Sequence, residues 1–267
     1  MTDQQNEIIA RLQNHTCHPD TYPNMRRGAV LICFAPEPSG ELGVILTLRA
    51  STLRTHPNEV CLPGGKADDV DESLIATAFR EAEEEIGLLP SQHTYITTLH
   101  PFVSAHLLIV TPIVSMMNAD ADFEPRVNPD EVSDVFTLPL SRFLSSYNHS
   151  KQDLSWYGQI WKYHTYGVPH IPDVINEREY PVTGFTAAVL LHCAVIGIGG
   201  EVCNLEEFEE AEVEDGKSWE DIFITTIVES GELERRQRRS RRPQRKSSKR
   251  SGKRTLRNHK KTENSRI

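Results

Sequence analysis

The chain has 267 residues, of which 38% are hydrophobic and 7% aromatic, and its formal net charge is −9. This apolar content is enough for one large domain or two small ones, and it excludes a wholly disordered chain. The charge is divided unevenly, because Arg235–Ile267 holds 16 of the 29 basic residues and only one of the 38 acidic residues. The sequence therefore predicts an acidic body followed by a basic tail.

The first elements in chain order are a short helix with a linker in residues 1–25 and then two strands. The continuous apolar run Gly28–Ala35 predicts a buried strand, and Val44–Ala50 predicts a second strand that returns after a turn. A loop with a short strand at EVCL leads to the double glycine that ends at Gly65. The apolar spacing of Leu74–Ile86 then gives the clearest helix prediction of the chain.

The second half alternates strands with shorter helices. Strands are predicted at TYITTL, at Leu107–Val114 and at QIWKYHTYG, a short helix at PLSRFLSS, and a last core helix at Ala187–Ile198. These elements predict an α/β domain over residues 26–200, followed by an acidic segment over 201–230. The low-complexity basic residues 231–267 have no apolar face and are predicted to form a disordered tail.

Cysteine usage and the apolar runs indicate an intracellular protein without a membrane span. The cysteines are odd in number and scattered, which fits a reducing compartment better than a disulfide framework; they are Cys17, Cys33, Cys61, Cys193 and Cys203. The N-terminal MTDQQNEIIARLQ carries acids and lacks the apolar core of a signal peptide. The most apolar run, Gly184–Gly200, is shorter than the ~20 residues that a spanning helix requires.

Four glutamates crowd the end of the helix predicted at Leu74–Ile86. At 100° per residue, Glu81, Glu84 and Glu85 fall together beside the apolar face, whereas Glu83 points to the far side. This spacing brings carboxylates to within ~5–6 Å of one another at their Cβ atoms, which destabilises a bare helix. Clustered oxygen ligands suit hard divalent cations, so the pattern predicts a Mg²⁺ or Mn²⁺ site.

The same residues carry a family resemblance. The segment REAEEEIGL, Arg80–Leu88, resembles the second half of the Nudix box, Arg-Glu-U-x-Glu-Glu-x-Gly-U, where U is aliphatic. Glu72 stands at the box spacing before Arg80, whereas Asp71 stands at the box spacing after Gly65, so either carboxylate is the first acid of the box. On this motif the chain is identified as a member of the Nudix hydrolases, which implies an α/β/α sandwich with a mixed β-sheet.

The resemblance implies hydrolysis of a diphosphate linked to another group, with Mg²⁺ or Mn²⁺ as cofactor. It implies that Glu81, Glu84 and Glu85 are the metal ligands, with Glu81 and Glu85 as the first choices. One of these glutamates, or a downstream loop acid such as Glu131, is expected to accept the proton of the attacking water. Arg80 is expected to act within the catalytic site by pairing with the first acid of the box and fixing the loop.

The segment ahead of the box narrows the range of candidate substrates. ILTLRASTLRTHPNEVCLPGGK, residues 45–66, resembles the signature of the Nudix hydrolases that cleave coenzyme A, although Ala50 replaces the usual Ser and Asn58 the usual Gly. This implies cleavage of coenzyme A or a derivative to 3′,5′-ADP and 4′-phosphopantetheine or its acyl form. Arg54 is predicted to bind substrate phosphate. Arg49 is a further candidate for pairing with phosphate oxygens, although it is more simply explained as an exposed strand residue.

The loop at the end of this signature is predicted to contact the substrate as well. Gly64 and Gly65 have no Cβ, so their backbone can approach the metal and the diphosphate closely. Lys66, directly after them, is a further candidate for pairing with phosphate oxygens.

Two alternatives stay open. The first is a nucleotide or dinucleotide pyrophosphatase of the same fold. The second is an RNA-binding protein that acts through the basic tail, since clustered Lys and Arg without aromatic residues bind phosphates without reading bases. The tail is otherwise explained as a segment that an import receptor binds or as a solvated, non-specific extension. The last residues, Ser265–Ile267, resemble the Ser-Lys-Leu peroxisomal address. The predicted locations are therefore the peroxisome or the cytoplasm, with the nucleus as the location that the basic tail would favour.

Overall fold

The computed structural model describes residues 1–17, 25–104, 106–156, 159–167, 181–199 and Gly231. Within these residues there are three α-helices, eleven β-strands and two short 3-10 helices. The helices are α1 (Asp3–Asn14), α2 (Leu74–Ile86) and α3 (Gly184–Ile198), and the 3-10 helices are Pro90–Gln92 and Leu140–Leu144. The strands are β1 (Arg26–Pro36), β2 (Leu42–Arg49), β3 (Val60–Cys61), β4 (Gly64–Lys66), β5 (His93–Thr98), β6 (Phe102–Val103), β7 (Leu108–Met117), β8 (Val132–Pro139), β9 (His149–Trp156), β10 (Gln159–Tyr166) and β11 (Val182–Thr183).

The main sheet is mixed and has eight strands. Its central path runs β3-β2-β1-β7-β5, while β4 pairs with β1, β6 with β7 and β8 with β2. Strands β1 and β7 are parallel, with Gly28 opposite Val110, and the other pairs in this sheet are antiparallel. A smaller antiparallel sheet has the order β11-β10-β9.

Helices cover both faces of the main sheet, because successive side chains of a strand point to opposite faces. Along β1, Leu31 and Cys33 enter the apolar cluster that includes α2, whereas Ile32 and Phe34 enter the cluster that includes α1 and α3. Helix α1 contributes Ile8 and Leu12 to that second cluster and packs into the same core as the sheet. The expected α/β/α sandwich with a mixed sheet is thus confirmed.

Several short or irregular elements differ from the sequence prediction. Gly64–Lys66 forms strand β4 rather than a loop, because its backbone pairs with β1 although two of its three residues are glycine. Strand β8 lacks a clean alternation of apolar and polar residues and is specified by its pairing with β2. The helix predicted at PLSRFLSS is only the 3-10 helix Leu140–Leu144.

Some predictions concern residues outside the described part of the chain. These are the acidic segment 201–230, the basic tail apart from Gly231, and the terminal Ser265–Ile267. Among the helices that are described, none has both the length and the apolar character that crossing a membrane requires.

Candidate active site

Helix α2 is fixed at both ends, and this sets the position of its glutamates. The Ser73 hydroxyl accepts a hydrogen bond from the amide of Ala76 at 3.1 Å, which caps the first turn. Gly87 ends the helix in the left-handed conformation, with φ 73°. Beyond it, the amides of Arg126 and Asn128 donate to the carbonyls of Ile86 and Glu85 at 2.8 and 2.9 Å. The loop that precedes β8 is therefore held against the end of α2.

The double glycine of β4 lies directly against the glutamates of α2. The amide of Gly64 donates a hydrogen bond of 3.3 Å to Oε2 of Glu85. A Cβ at Gly65 would stand 2.5 Å from the carboxylate of Glu81, so any residue other than glycine would displace this carboxylate. The strand pairing of β4 with β1 thus brings the glycine loop and two of the predicted metal ligands together.

The three predicted metal ligands differ in burial. Glu85 is only 4% exposed, the Glu81 side chain is 18% exposed, and the Glu84 side chain is 55% exposed. Burial raises the pKa of Glu85 to about 8, against the hydrogen bond from Gly64, and the nearby charges of Glu81 and Glu131 raise it further. Burial likewise raises the pKa of Glu81. The structure therefore places Glu81 and Glu85 at the glycine loop and leaves Glu84 at the solvent edge.

Arg80 binds the first acid of the box, and the structure identifies that acid as Asp71. The Arg80 guanidinium donates to both carboxylate oxygens of Asp71, each at 2.9 Å, whereas Glu72 is exposed. This pairing holds the pKa of Asp71 well below its usual range and raises that of Arg80. Arg80 also donates to the carbonyl of Lys66 at 3.2 Å, so it ties the loop after the glycines to α2.

Exchanging the two adjacent acids separately tests this assignment. Asp71→Asn is expected to lower the free energy of unfolding at neutral pH by about 2 kcal/mol, because it removes a charge-assisted bidentate pair. Glu72→Gln is the matched control, and its effect is expected to stay within about 0.5 kcal/mol. Urea denaturation measures both. Since the pKa of Asp71 is lowered by folding, the difference between Asp71→Asn and the native chain should shrink as the pH falls below ~4. An equal loss in both variants contradicts the assignment.

Arg80 also contacts two of the predicted metal ligands. One of its nitrogens lies 3.0 Å from Oε1 of Glu81 and 3.1 Å from Oε2 of Glu84. Within the described residues, no three His, Cys, Asp or Glu side chains are arranged to hold a metal ion as they stand. A cation shared by Glu81 and Glu84 must therefore compete with Arg80 for these oxygens.

The donor set nevertheless fits a hard divalent cation, because negative charge is in excess. The guanidinium groups of Arg80 and Arg49 act on four carboxylates here, and the charge of a fifth carboxylate acts on two of these four. The four are those of Asp71, Glu81, Glu84 and Glu85, and the fifth is that of Glu131. A buried carboxylate without enough compensating charge takes up a proton or binds a cation. All five are oxygen donors, the ligand type that Mg²⁺ and Mn²⁺ prefer.

The side chains of the predicted substrate-binding residues Arg54 and Lys66 are both at the surface. Arg54 is exposed on the bend of the loop 50–59, and the Lys66 side chain is exposed at the end of β4. Asn58, which replaces the usual glycine of the signature, has φ 59°. This left-handed conformation is one that asparagine tolerates better than most residues, so the replacement keeps the backbone shape of the loop.

Of the two explanations of Arg49, the structure contradicts the simpler one, an exposed strand residue. It is half-buried at the end of β2, and its Nε is buried without a hydrogen-bond partner among the described residues. Its charge lowers the pKa of Glu85, so the two side chains lie within electrostatic reach of each other. Strand alternation alone left its direction open, because β2 is buried on both faces. The signal that could have placed Arg49 near the site was its position in the sequence, directly before loop 50–59 and inside the coenzyme A signature.

Glu131 reaches the same cluster from the loop before β8. Its carbonyl accepts a hydrogen bond of 2.9 Å from the amide of Ala50, and its charge raises the pKa of Glu85 and of Glu81. The side chain is exposed to solvent. The sequence interpretation had placed this acid near the site, and the structure shows the backbone contact that holds it there.

The structure is an α/β/α sandwich in which glutamates of helix α2 lie against a glycine loop. This fold and this site agree with the class of protein that the motif at Arg80–Leu88 indicated. The family model described as the NUDIX domain matches residues 25–157. The chain belongs to the Nudix hydrolase family.

Named relatives agree with this membership. The chain is 41% identical over 178 residues to the mitochondrial Nudix hydrolase 15 of Arabidopsis thaliana, covering 67% of this chain and 60% of the relative. It is 35% identical over 157 residues to the peroxisomal coenzyme A diphosphatase NUDT7 of Mus musculus, covering 59% and 64%. It is 38% identical to the uncharacterized Nudix hydrolase NudL of Photorhabdus laumondii, covering 62% of this chain and 82% of that one. The chain thus spans less than two thirds of the first two relatives.

Proposed function

We propose that the chain is a Mg²⁺- or Mn²⁺-dependent hydrolase that cleaves the diphosphate of coenzyme A or its derivatives. The observation that carries the proposal is the carboxylate of Glu85, which is 4% exposed and accepts a hydrogen bond from Gly64 of the double glycine. A carboxylate that is buried beneath a loop suited to phosphates, in a cluster with excess negative charge, is placed for cation binding and for proton transfer.

The proposed ligands of the cation are Glu81, Glu84 and Glu85. When bound, Mg²⁺ or Mn²⁺ supplies positive charge to the phosphate oxygens and makes water more acidic. Glu85 or the exposed Glu131 then accepts the proton of the water that attacks the diphosphate. Arg80 holds Asp71 and the carbonyl of Lys66, and so keeps the glycine loop in register with α2.

The proposed substrate rests on the signature before the box and on the coenzyme A diphosphatase among the relatives. Arg54, exposed on the bend of loop 50–59, is proposed to pair with substrate phosphate together with Lys66. The half-buried Arg49 adds a cation next to Glu85 and is proposed to face the diphosphate itself. The products are 3′,5′-ADP and 4′-phosphopantetheine or its acyl form.

Product analysis tests both the metal and the substrate. The full chain is incubated with coenzyme A, an acyl-coenzyme A, NADH and a dinucleoside polyphosphate, and the products are identified by mass spectrometry. We expect 3′,5′-ADP from coenzyme A with Mg²⁺ or Mn²⁺, and a loss of at least 100-fold in excess chelator, since metal assistance is worth several kcal/mol.

Two outcomes contradict parts of this proposal. Turnover of another nucleotide without 3′,5′-ADP from coenzyme A assigns the chain to the alternative, a nucleotide or dinucleotide pyrophosphatase. Undiminished turnover in chelator removes the metal from the mechanism. Return of activity on adding Mg²⁺ back to the chelated protein is the control for damage during chelation.

The location and any macromolecular partner are proposed from residues outside the described part of the chain. The relatives named above are mitochondrial in one case and peroxisomal in another, so their names favour no single compartment. Peroxisomal import through Ser265–Ile267 is proposed from the resemblance to the Ser-Lys-Leu address. Imaging of the chain with and without these three residues tests it, and an unchanged distribution contradicts it.

A further inference from the structure

Two loops meet at a pair of histidines that the proposed hydrolysis does not use. His56 lies in loop 50–59, between β2 and β3, and His106 lies in the turn before β7. The Nε2 atoms of these two histidines are 3.2 Å apart. Nδ1 of His56 is 2.8 Å from Oε2 of Glu59. The side chains of His56 and Glu59 are 49% and 53% exposed, so the pair is accessible from solvent.

These contacts fix the proton positions of neutral His56. An ionised carboxylate only accepts hydrogen bonds, so Nδ1 of His56 carries the proton that is shared with Glu59. Nε2 of His56 therefore presents a lone pair, and Nε2 of His106 donates its proton to it. A histidine held by a carboxylate through one nitrogen, with the other nitrogen free to accept, has the orientation found in carboxylate–histidine–zinc sites.

The spacing of the two nitrogens matches that of two ligands on one metal ion. Two imidazole nitrogens at 2.0–2.1 Å from a tetrahedral Zn²⁺ lie about 3.3–3.4 Å apart. The observed separation is 3.2 Å, so the two nitrogens need to move only slightly to bind one ion. The rings face each other head-on, with centroids 5.5 Å apart, so each ring must also turn until its lone pair points at the ion. His106 must also change tautomer, with its proton moving to the other ring nitrogen.

We propose that His56 and His106 bind a transition-metal ion such as Zn²⁺, with Glu59 orienting His56 and two water molecules completing the coordination. The imidazole ligands favour Zn²⁺, Ni²⁺ or Cu²⁺, whereas the carboxylate cluster favours Mg²⁺ or Mn²⁺. The two sites therefore take different classes of ion, and the histidine site does not depend on the proposed hydrolysis.

An ion at this position also fastens the loop that carries Arg54. The two ends of the loop are already held, because the amide of Arg49 donates to the carbonyl of Glu59 at 3.0 Å and the amide of Ala50 to that of Glu131 at 2.9 Å. The bend at Arg54 is exposed. Two coordination bonds to the ion would tie His56, two residues from Arg54, to the start of β7 and so restrict the bend.

Calorimetric titration of the full chain with Zn²⁺, in a reducing buffer that contains Mg²⁺, tests the site. One equivalent that the native chain binds is expected to be lost in His56→Ala and in His106→Ala, and Glu59→Gln is expected to weaken it by about 10- to 100-fold. Circular dichroism confirms that these exposed-residue variants fold. The control is Cys17→Ser, which removes a thiol near His15 and is expected to bind like the native chain. Identical titrations in the native chain and His106→Ala, or loss of the equivalent in Cys17→Ser alone, overturn the proposal.

Trypsin cleavage after Arg54 measures the effect on the loop without an activity assay. Zn²⁺ is expected to slow cleavage at Arg54 in the native chain and to leave it unchanged in His106→Ala, with cleavage in the basic tail as the internal reference for the protease. Equal cleavage of Arg54 with and without Zn²⁺ in the native chain contradicts the fastening of the loop.

Discussion

Glu85→Gln is expected to lower the rate of diphosphate hydrolysis by about 10²–10⁴-fold. The change removes the carboxylate that is both the most buried ligand proposed for the cation and a candidate to accept the proton from water. The amide keeps an oxygen for the hydrogen bond from Gly64, so the glycine loop is expected to stay in place. Steady-state turnover of coenzyme A at saturating Mg²⁺ measures the effect.

The matched control is Glu83→Gln, on the same helix and with the same change of charge. Glu83 is exposed on the far side of α2, away from the glycine loop, and its replacement is expected to leave turnover within about twofold of the native chain. A comparable loss in both variants would falsify the role given to Glu85, because it would reduce the effect to the net charge of the helix.

Although Glu85→Gln is expected to lower activity, it is expected to raise the stability of the folded chain when no metal is present. Folding raises the pKa of Glu85 to about 8, so the folded chain keeps a proton that the unfolded chain releases near pH 4. The metal-free native chain should therefore lose stability as the pH rises from ~4 to about 8, and Glu85→Gln should lack this loss.

Urea denaturation of both chains at pH 5 and pH 8, in chelator, measures this difference. Added Mg²⁺ should restore the free energy of unfolding of the native chain at pH 8 and leave that of Glu85→Gln unchanged, because a ligand stabilises only the state that binds it. Turnover should rise with pH as Glu85 loses its proton, with a midpoint that falls as Mg²⁺ is raised. If the native chain and Glu85→Gln are equally stable at pH 8 without metal, the idea that this site holds excess negative charge is contradicted.

The adjacent glycines are expected to fail in different ways. In Gly64→Ala, the new Cβ collides with the carbonyl oxygen of Ala29 and stands 2.6 Å from the Cα of Val30. The backbone at this position has φ 152°. These neighbours are backbone atoms of β1 and cannot move aside. We expect the free energy of unfolding to fall by about 3 kcal/mol or more, measured by urea denaturation.

Gly65→Ala is expected to fold normally and to lose activity. The three atoms nearest to its Cβ all belong to the carboxylate of Glu81, the closest at 2.5 Å, and this end of a flexible side chain can turn away. Because a displacement of about 1 Å at a site can lower the rate by about 10²-fold, turnover should fall by that order. The two variants together distinguish an effect on stability, expected for Gly64→Ala, from an effect on turnover, expected for Gly65→Ala. Full activity in Gly65→Ala contradicts the idea that turnover requires the carboxylate of Glu81 in its position beside Gly65.

The sequence was sufficient for the elements with strong local signals. Helix α2 begins and ends where its apolar spacing and its final glycine predicted, at Leu74 and Ile86, because the cap residues and the apolar face agree. The long apolar strands β1, β2 and β7 were predicted to within a few residues for the same reason. The family resemblance added the mixed sheet and the sandwich, which local patterns do not determine.

Short strands could not be predicted because their partners decide them. Strand β4 is a Gly-Gly-Lys segment with no strand propensity, and its pairing with β1 alone makes it a strand. Strand β8 depends in the same way on β2. Without these pairings, neither the glycine loop nor the loop that carries Glu131 would stand beside α2.

By itself, the sequence determined which residue types cluster on α2, because helical spacing is a local property. Only the tertiary structure decided which carboxylate Arg80 binds, since Asp71 and Glu72 are neighbours with the same charge and differ only in burial and direction. It also decided that Glu85 is buried while Glu84 stays at the solvent edge, and that Arg49 is half-buried within electrostatic reach of Glu85. Burial and direction arise from packing between distant segments, which no local pattern contains.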